Sequence, residues 1–236
     1  MNVAIVVAAG KGTRLGGDQP KQFLELCGVP IIIHTLRQFE RCEAIKEIIV
    51  VVPAEETAVF SSLAEKFAVR KLSRVVSGGA TRAQSVLCGL NAIGNAEIVA
   101  VHDGVRPFVT LDEIDRVVAA AKASGAAILV APVADTIKDI ENGRVKSTPP
   151  RPGLRRALTP QCFRYDLLKR AYDRLDDVEA EGIEVTDDSL LVERLGAEII
   201  AVEGSARNIK ITREEDLVLA EAILNQKSEV RGQKSE

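Results

Sequence analysis

VAIVVAAGKGTRLGGDQPK, residues Val3 to Lys21, changes character abruptly at Ala8. Val3 to Val7 is an unbroken apolar run, mostly β-branched. Such a run predicts a strand buried on both faces of a parallel sheet, because a solvated face would impose alternating polar residues. Ala8, Ala9, Gly10, Gly12, Gly16 and Gly17 follow at once, with Lys11, Arg14 and Lys21 among them. Small residues let a backbone approach a ligand closely, and loop N–H groups can then point at an anion. With three cations added, the segment reads as a cradle for a polyphosphate.

Glycine spacing separates three phosphate-binding patterns. The P-loop needs Lys-Ser/Thr after its last glycine, and Lys11-Gly12-Thr13 does not supply that order. The dinucleotide pattern G-x-G-x-x-G fails by one place, since Leu15 stands where the third glycine belongs. Gly10, Gly12 and Gly16 leave a looser G-x-G-x-x-x-G, which keeps a nicotinamide site open. A-A-G-x-G-x-R followed by P-K fits in full, and here the sequence resembles the nucleotidyltransferases that join a nucleoside triphosphate to a phosphorylated sugar or alcohol. An ordinary β–α turn with solvated charges accounts for the glycines but not for Pro20-Lys21.

The 236 residues suffice for one large α/β domain or two small ones, and 46% hydrophobic content supplies a sizeable core. Aromatic residues make up only 3%, with no Trp, which argues against stacking platforms for single-stranded nucleic acid. A formal charge of −3 argues against nucleic acid or an anionic membrane as the main partner, so any anion site must be a local concentration of cations. Cys27, Cys42, Cys88 and Cys162 form no C-x-x-C pair, and their expected role is as small buried hydrophobes. The N-terminus enters a strand without a basic-then-apolar segment, and no apolar run approaches membrane-spanning length. A soluble cytoplasmic protein is expected.

Strands and helices alternate along the chain. Ile33, Leu36 and Phe39 give helical spacing between Pro30 and Cys42, and Glu47–Val52 is a second buried strand stopped by Pro53. A helix from Glu55 to Lys66 and a short strand at Arg74–Val76 follow. The pattern predicts an α/β fold: a Rossmann-like, mostly parallel sheet with helices on both faces. Ligands in such sheets sit at the carboxyl ends of the strands. Further helices are predicted at Leu111–Ser124, Arg164–Leu175, up to Leu195 and from Arg213 to Leu224, with strands at Glu97–Val101, Ala127–Ala131 and Ala197–Val202.

Two loops at strand ends carry further candidate chemistry. Ser77-Gly78-Gly79-Ala80-Thr81-Arg82 opens a helix, with Ser85 one turn in, which suits an anion or base pocket but also an ordinary turn. His102-Asp103-Gly104-Val105-Arg106-Pro107 closes the next strand. Asp103 there can hold a divalent cation, since Mg²⁺ favours one or two carboxylates with phosphate oxygens and water, or it can simply cap the turn. His102 reads as a hydrogen-bonded structural residue. Asp187 and Asp188 read as helix-capping residues, with a substrate contact left open.

Thr136–Glu141 and Arg144–Thr148 flank Asn142-Gly143, a strong hairpin signal because both turn residues need positive φ. The hairpin has few apolar residues, and an isolated two-stranded ribbon is marginal in water. It is expected to protrude as an arm (134–157 with its return) from a single domain covering 1–225, ahead of a frayed tail at 226–236. A homodimer exchanging these arms would supply the missing surface.

Taken together, AAGKGTR with PKQF, GGATRAQSV, VHDGVRP, PVADTIK, RALTPQ, TDD and NIKIT resemble the 2-C-methyl-D-erythritol 4-phosphate cytidylyltransferases of the non-mevalonate isoprenoid pathway. The resemblance runs from Val3 to Leu224. DTIK, ALTPQ and NIKIT are its specific blocks, although ribitol-phosphate cytidylyltransferases share part of the plan. It implies CTP binding by Ala8, Ala9, Gly10, Gly12, Arg14 and Lys21, by Gly78, Gly79, Arg82 and Ser85, and by Asp103 and Gly104. It implies acceptor binding by Asp103, Arg106, Thr136, Arg151, Thr159 and Lys210, with Asp103 near Mg²⁺. Arg14 and Lys21 would stabilise charge at the α-phosphoryl group, while Arg151 and Lys210 orient the acceptor. The family often carries an acidic residue where this chain has Ala80. Arm residues are implied to reach the neighbour's site in a homodimer.

The implied reaction is attack by a sugar-alcohol phosphate on the α-phosphorus of CTP. A phosphate monoester is already anionic near neutral pH and needs no Ser, Cys or His base, which suits a chain with two His and no triad. Such a transfer depends on charge neutralisation and in-line positioning. Two rivals come from other classes. A nicotinamide-dependent oxidoreductase would need an acidic residue at the end of the second strand, where Val50-Val51-Val52-Pro53 stands. A non-catalytic nucleotide-binding regulator would have no need of Lys21, Asp103 and Lys210 together.

Overall fold

The computed structural model describes residues 1–10 and 20–232, with side chains to 226. In chain order the elements are β1 (Asn2–Val7), β2 (Glu25–Leu26), β3 (Val29–Pro30), α1 (Ile31–Arg41), β4 (Glu47–Val52), α2 (Thr57–Lys66), β5 (Leu72–Ser77) and α3 (Arg82–Asn91). Next come β6 (Ile98–Asp103), α4 (Leu111–Ser124), β7 (Ala126–Pro132), β8 (Asp139–Glu141), β9 (Arg144–Ser147) and β10 (Arg155–Arg164). The chain ends with α5 (Tyr165–Tyr172), α6 (Leu175–Ala180), α7 (Asp188–Glu193), β11 (Ile200–Glu203) and α8 (Glu214–Gly232).

A seven-stranded sheet has the order β11-β7-β10-β6-β1-β4-β5. Its pairings are parallel except those of β10, which runs antiparallel to both neighbours. The predicted mostly parallel α/β sheet is therefore present. β1 lies at the point where the strand order reverses, flanked by β6 on one side and β4 on the other. In open α/β sheets that crevice is the ligand position.

The apolar run of β1 follows from its place in the sheet. Val3, Ala4, Ile5 and Val6 are all fully buried. Ala4 and Val6 pack with residues of α1, α2 and α4, while Val3 and Ile5 pack with α3, α5 and α6 on the other face. Burying each Val or Ile side chain is worth about 1.5–3 kcal/mol, so both faces select apolar residues. A third cluster joins Leu26, Ile31, Val105, Phe108 and Ile211 to Ala220 and Ile223 of α8. It fixes the segment before α8 beside the end of β6.

Three features depart from the sequence expectations. β10 was not predicted as a strand, since Arg155, Arg156 and Pro160 interrupt its apolar pattern; its pairing with β7 breaks between Ala157 and Gln161, which accommodates the proline. The backbone of α8 continues to Gly232, past the expected end at Leu224, because Asn225 to Arg231 contain no Gly or Pro to stop it; residues 233–236 lie outside the described residues. Cys42 and Cys162 are buried as expected, but Cys27 is exposed, at φ 51° in the two-residue turn between β2 and β3. The arm's turn has the predicted geometry, with φ of 50° at Asn142 and 75° at Gly143.

Candidate active site

Three loops converge at the carboxyl ends of adjacent strands. Val7 at the end of β1 is in register with Asp103 of β6 and Val51 of β4, and Val52 with Ser77 of β5. The register sets the Ala8-Ala9-Gly10 segment between the Gly78-Gly79 turn and the Asp103-Gly104 turn. Contact is close enough to leave no room for a side chain at Gly78 or Gly79 and to crowd one at Gly104. A Cβ on Gly78 would fall 2.3 Å from Ala9 Cβ, and one on Gly104 would fall 3.0 Å from Ala8 Cβ. On Gly79 it would lie 2.6 Å from Gln84 Cβ. Ser85 Oγ accepts from the Gly79 N–H at 3.1 Å and donates to Thr81 O at 2.9 Å, so it fixes that turn.

A pocket of about 370 Å³ opens between these loops. Of the sequence-predicted residues, Ala8, Ala9, Gly10, Lys21, Gly79, Arg82, Ser85, Asp103 and Lys210 line it. Gly78 and Gly104 do not line it and pack instead against the Ala9 and Ala8 side chains. Thr136 and Arg151 do not line it: Arg151 is exposed, and its Nη1 donates to Ala134 O at the base of the arm. Gly12 and Arg14 lie outside the described residues. Ala80 is exposed at the rim and offers its N–H to Gln84 Oε1.

Asp103 is the electrostatic centre. Its Oδ1 accepts from Arg82 Nε at 3.2 Å, and its Oδ2 accepts from Arg106 Nε at 3.2 Å and Lys210 Nζ at 3.0 Å. Burial disfavours the charged carboxylate, but Arg82, Lys210 and Arg106 outweigh it and hold the carboxyl well below the usual carboxylate range. Asp103 is thus ionised at any physiological pH.

The shell behind Asp103 comes from three chain segments. The bulged part of β10 turns Thr159 inward, and its hydroxyl accepts from the Asp103 N–H at 3.2 Å. His102 Nε2 lies 3.1 Å from Arg106 O, which can only accept, so that nitrogen carries the proton; Nδ1 then accepts from the Thr159 hydroxyl at 3.0 Å. Burial pushes the His102 imidazole down to about 4, and it stays neutral. The structural reading of His102 therefore holds. Asn208 Nδ2 donates to Thr159 O, and Asn208 O accepts from Arg106 Nη1. Together with the Ile211 N–H bonded to Val105 O, these contacts set Lys210 over the carboxylate.

Asp188 is a residue whose part in the site sequence reasoning missed. It is fully buried, and it receives Arg82 Nη1 and Nη2 at 3.2 and 2.9 Å, a two-pronged pairing. Tyr172 Oη donates to the same carboxylate, and Gln161 Oε1 accepts from the Asp188 N–H. Arg82 is thereby fixed between Asp103 and Asp188. Asp187 fulfils the predicted capping role, accepting from the Leu190 N–H. Nothing in the local T-D-D pattern distinguishes the two aspartates.

Among the described residues lining the pocket, Asp103 is the one carboxylate. No group of three His, Cys, Asp or Glu among the described residues could hold a metal alone. A single carboxylate beside an anion pocket fits Mg²⁺ that arrives already bound to phosphate oxygens. No helix among the described residues is long and apolar enough to cross a membrane.

The family model for 2-C-methyl-D-erythritol 4-phosphate cytidylyltransferase (IspD) matches residues 2–226. A curated protein of that description from Geobacter metallireducens is 43% identical over 229 residues, covering 95% of this chain and 97% of its own. One from Geotalea uraniireducens is 45% identical over 225 residues, covering 94% and 95%. Among solved structures, 4-diphosphocytidyl-2C-methyl-D-erythritol synthase from Anaerococcus prevotii superposes with a TM-score of 0.83 at 32% identity, covering 95% of this chain and 96% of that one. The Thermus thermophilus 2-C-methyl-D-erythritol 4-phosphate cytidylyltransferase gives 0.76 at 34% identity, covering 94% and 98%.

Proposed function

This chain belongs to the 2-C-methyl-D-erythritol 4-phosphate cytidylyltransferase family, and on that premise we propose that it transfers the cytidylyl group of CTP to 2-C-methyl-D-erythritol 4-phosphate. A phosphate oxygen of the acceptor attacks the α-phosphorus of CTP. The bond from that phosphorus to the bridging oxygen breaks, and pyrophosphate leaves with the electron pair. The observation that supports this most directly is Lys210 paired to Asp103 in the same pocket as the Ala8–Gly10 loop and Lys21.

Roles follow from chemistry and position. Lys21, with Arg14, neutralises the triphosphate and the charge that builds at the α-phosphoryl group. The Gly78–Gly79 turn and Ser85 bound the wall for the cytidine. Lys210 faces the acceptor phosphate, while Arg106 and Thr159 serve it by holding Asp103. Asp103 would hold Mg²⁺, which when bound supplies charge neutralisation at the phosphates and the leaving pyrophosphate. His102 takes no proton, because the nucleophile is already an anion.

The arm reaches a second copy. Ile137, Ile140 and Val145 are exposed large apolar residues on it, and a homodimer would cover them. In that assembly Thr136 and Arg151 complete the neighbour's acceptor site, which accounts for their distance from the pocket of their own chain.

The deciding assay is pyrophosphate release. Release is expected to require CTP, 2-C-methyl-D-erythritol 4-phosphate and Mg²⁺ together, to stop with EDTA and to fall by about a hundred- to a thousandfold in Lys21→Ala. Faster turnover with ribitol 5-phosphate would move the chain to the neighbouring acceptor class, and no release with either acceptor would overturn the reading.

A further inference from the structure

Gln22 lines the pocket, and its side-chain nitrogen has no hydrogen-bond partner among the described residues. It follows Lys21 in a 3-10 turn, Lys21–Phe23, fixed by Phe23 N–H to Pro20 O at 2.9 Å and Leu24 N–H to Lys21 O at 3.2 Å. The ring of Phe23 packs against Phe60. Gln22 lines the pocket, yet it is only 1% exposed, and no described protein group accepts a hydrogen bond from its Nε2.

Such an arrangement is unfavourable for stability alone. A buried amide nitrogen without an acceptor destabilises a fold, and an apolar side chain of the same shape avoids that cost. The neighbouring charges indicate what would bind it. Lys21, Arg82 and Lys210 share the pocket wall with one carboxylate, so the pocket favours an anionic guest. A carboxamide adds a donor there without adding a further cation beside Asp103. Rotation about its last bond exchanges Nε2 and Oε1, so the donor can turn to the guest while the backbone stays in place.

We propose that Gln22 is a ligand-binding residue whose carboxamide donates to a phosphoryl oxygen of the nucleoside triphosphate, a role that rests on the cytidylyl-transfer reading. Its contribution falls on the polyphosphate and not on the nucleoside.

The test compares the full-length parent with Gln22→Met, close in shape and apolar, and Gln22→Glu, isosteric and anionic. Affinities for CTP with Mg²⁺, for pyrophosphate and for cytidine are measured by calorimetry or ligand-observed NMR, beside the melting temperature of the free proteins. Gln22→Met is expected to bind CTP and pyrophosphate about ten- to a hundredfold more weakly, as fits loss of a hydrogen bond to a charged group. Cytidine binding should be unchanged, and the free protein should melt no lower than the parent. Gln22→Glu should bind CTP more weakly still, because its carboxylate repels the phosphates. Equal CTP affinity in the parent and Gln22→Met overturns the proposal, as does an equal loss for cytidine, or a Gln22→Glu that binds CTP no worse than Gln22→Met. A folded parent that binds no CTP instead overturns the cytidylyl-transfer reading, and the Gln22 assignment with it.

Discussion

Lys210 Nζ sits 3.0 Å from Asp103 Oδ2, although the two are far apart in sequence. The carboxylate already receives two arginines, and Lys210 is the most exposed of its three cations, with 37% of its side chain accessible against 22% for Arg82 and 12% for Arg106. Lys210 is thus the cation best able to turn toward an incoming phosphate. Lys210→Ala should lower kcat/KM for the acceptor by roughly ten- to a hundredfold, the worth of a charge-assisted hydrogen bond. CTP affinity should stay near the parent value. Separate measurement of CTP binding and acceptor kinetics checks this, and equal losses on both substrates would reassign Lys210 to the triphosphate.

Removing the carboxylate should affect stability as well as turnover. Asp103→Asn takes the carboxylate from Lys210 and from one side of Arg82 and Arg106. Asp188 still pairs Arg82, Asn208 O still receives Arg106, and Lys210 is 37% exposed. The loss should therefore be about 1.5–3 kcal/mol, the worth of hydrogen bonds to a charged group. The Mg²⁺ concentration needed for half-maximal turnover should also rise. Urea denaturation and a metal titration report the two effects independently. Unchanged stability would show that solvent, not Asp103, compensates these cations.

His102 gives a pH dependence with a definite sign. Burial holds its folded value down at about 4 against an ordinary value of 6.5. A depressed folded pKa leaves the contribution fully present above pH 6.5. It is lost as pH falls from 6.5 through 4, because the unfolded chain takes up the proton first. Its size is about 3 kcal/mol. Burial also lowers His34, which acts in the same direction. With two histidines in the chain, the imidazole resonances can be followed singly by NMR. A His102 signal titrating near 6.5 would contradict the buried, neutral ring.

Sequence patterns revealed most of the sheet and much of the pocket, but they revealed little of the shell behind it. β1, β4 and β6 are apolar on both faces, so their burial shows directly in composition. Gly78 and Gly79 ahead of a helix already mark a tight turn that suits an anion or base pocket. β10 stays hidden because its inward-turned Thr159 requires a break in the pairing, and a break removes the periodicity by which strands are recognised. The pairing of Asp188 with Arg82 joins residues distant in sequence, and only the packing of α7 against α5 and β10 brings them together. Gln22 stands in the sequence only as part of the PKQF block, and its burial beside the pocket depends on the turn that Phe23 anchors.

Tyr172→Phe isolates the support behind Arg82. The hydroxyl donates to Asp188, itself fully buried and paired with the guanidinium. Loss of a hydrogen bond to a charged group costs about 1.5–3 kcal/mol, and the ring continues to fill its place in the core. Stability should fall by that amount in chemical denaturation. CTP binding should weaken only modestly, since both Arg82 pairings remain. A loss of CTP binding comparable to that of Arg82→Ala would mean that Tyr172 does more than steady Asp188.

Arm exchange can be tested without removing the arm. Lys21 lines the pocket of its own chain, whereas Arg151 lies at the arm with its guanidinium on Ala134 O. If Arg151 serves the neighbour's site, Lys21→Ala and Arg151→Ala should each be nearly inactive as homodimers. After unfolding and refolding together, half of the dimers are mixed, and each mixed dimer regains one intact site. Turnover should then recover to on the order of a quarter of the parent level, set by the two-fold symmetry of the exchange. If Arg151 serves its own chain, every site in the mixture lacks one of the two cations and no recovery occurs. Light scattering on the same samples reports the assembly, and a monomer with full parental activity would exclude the exchange altogether.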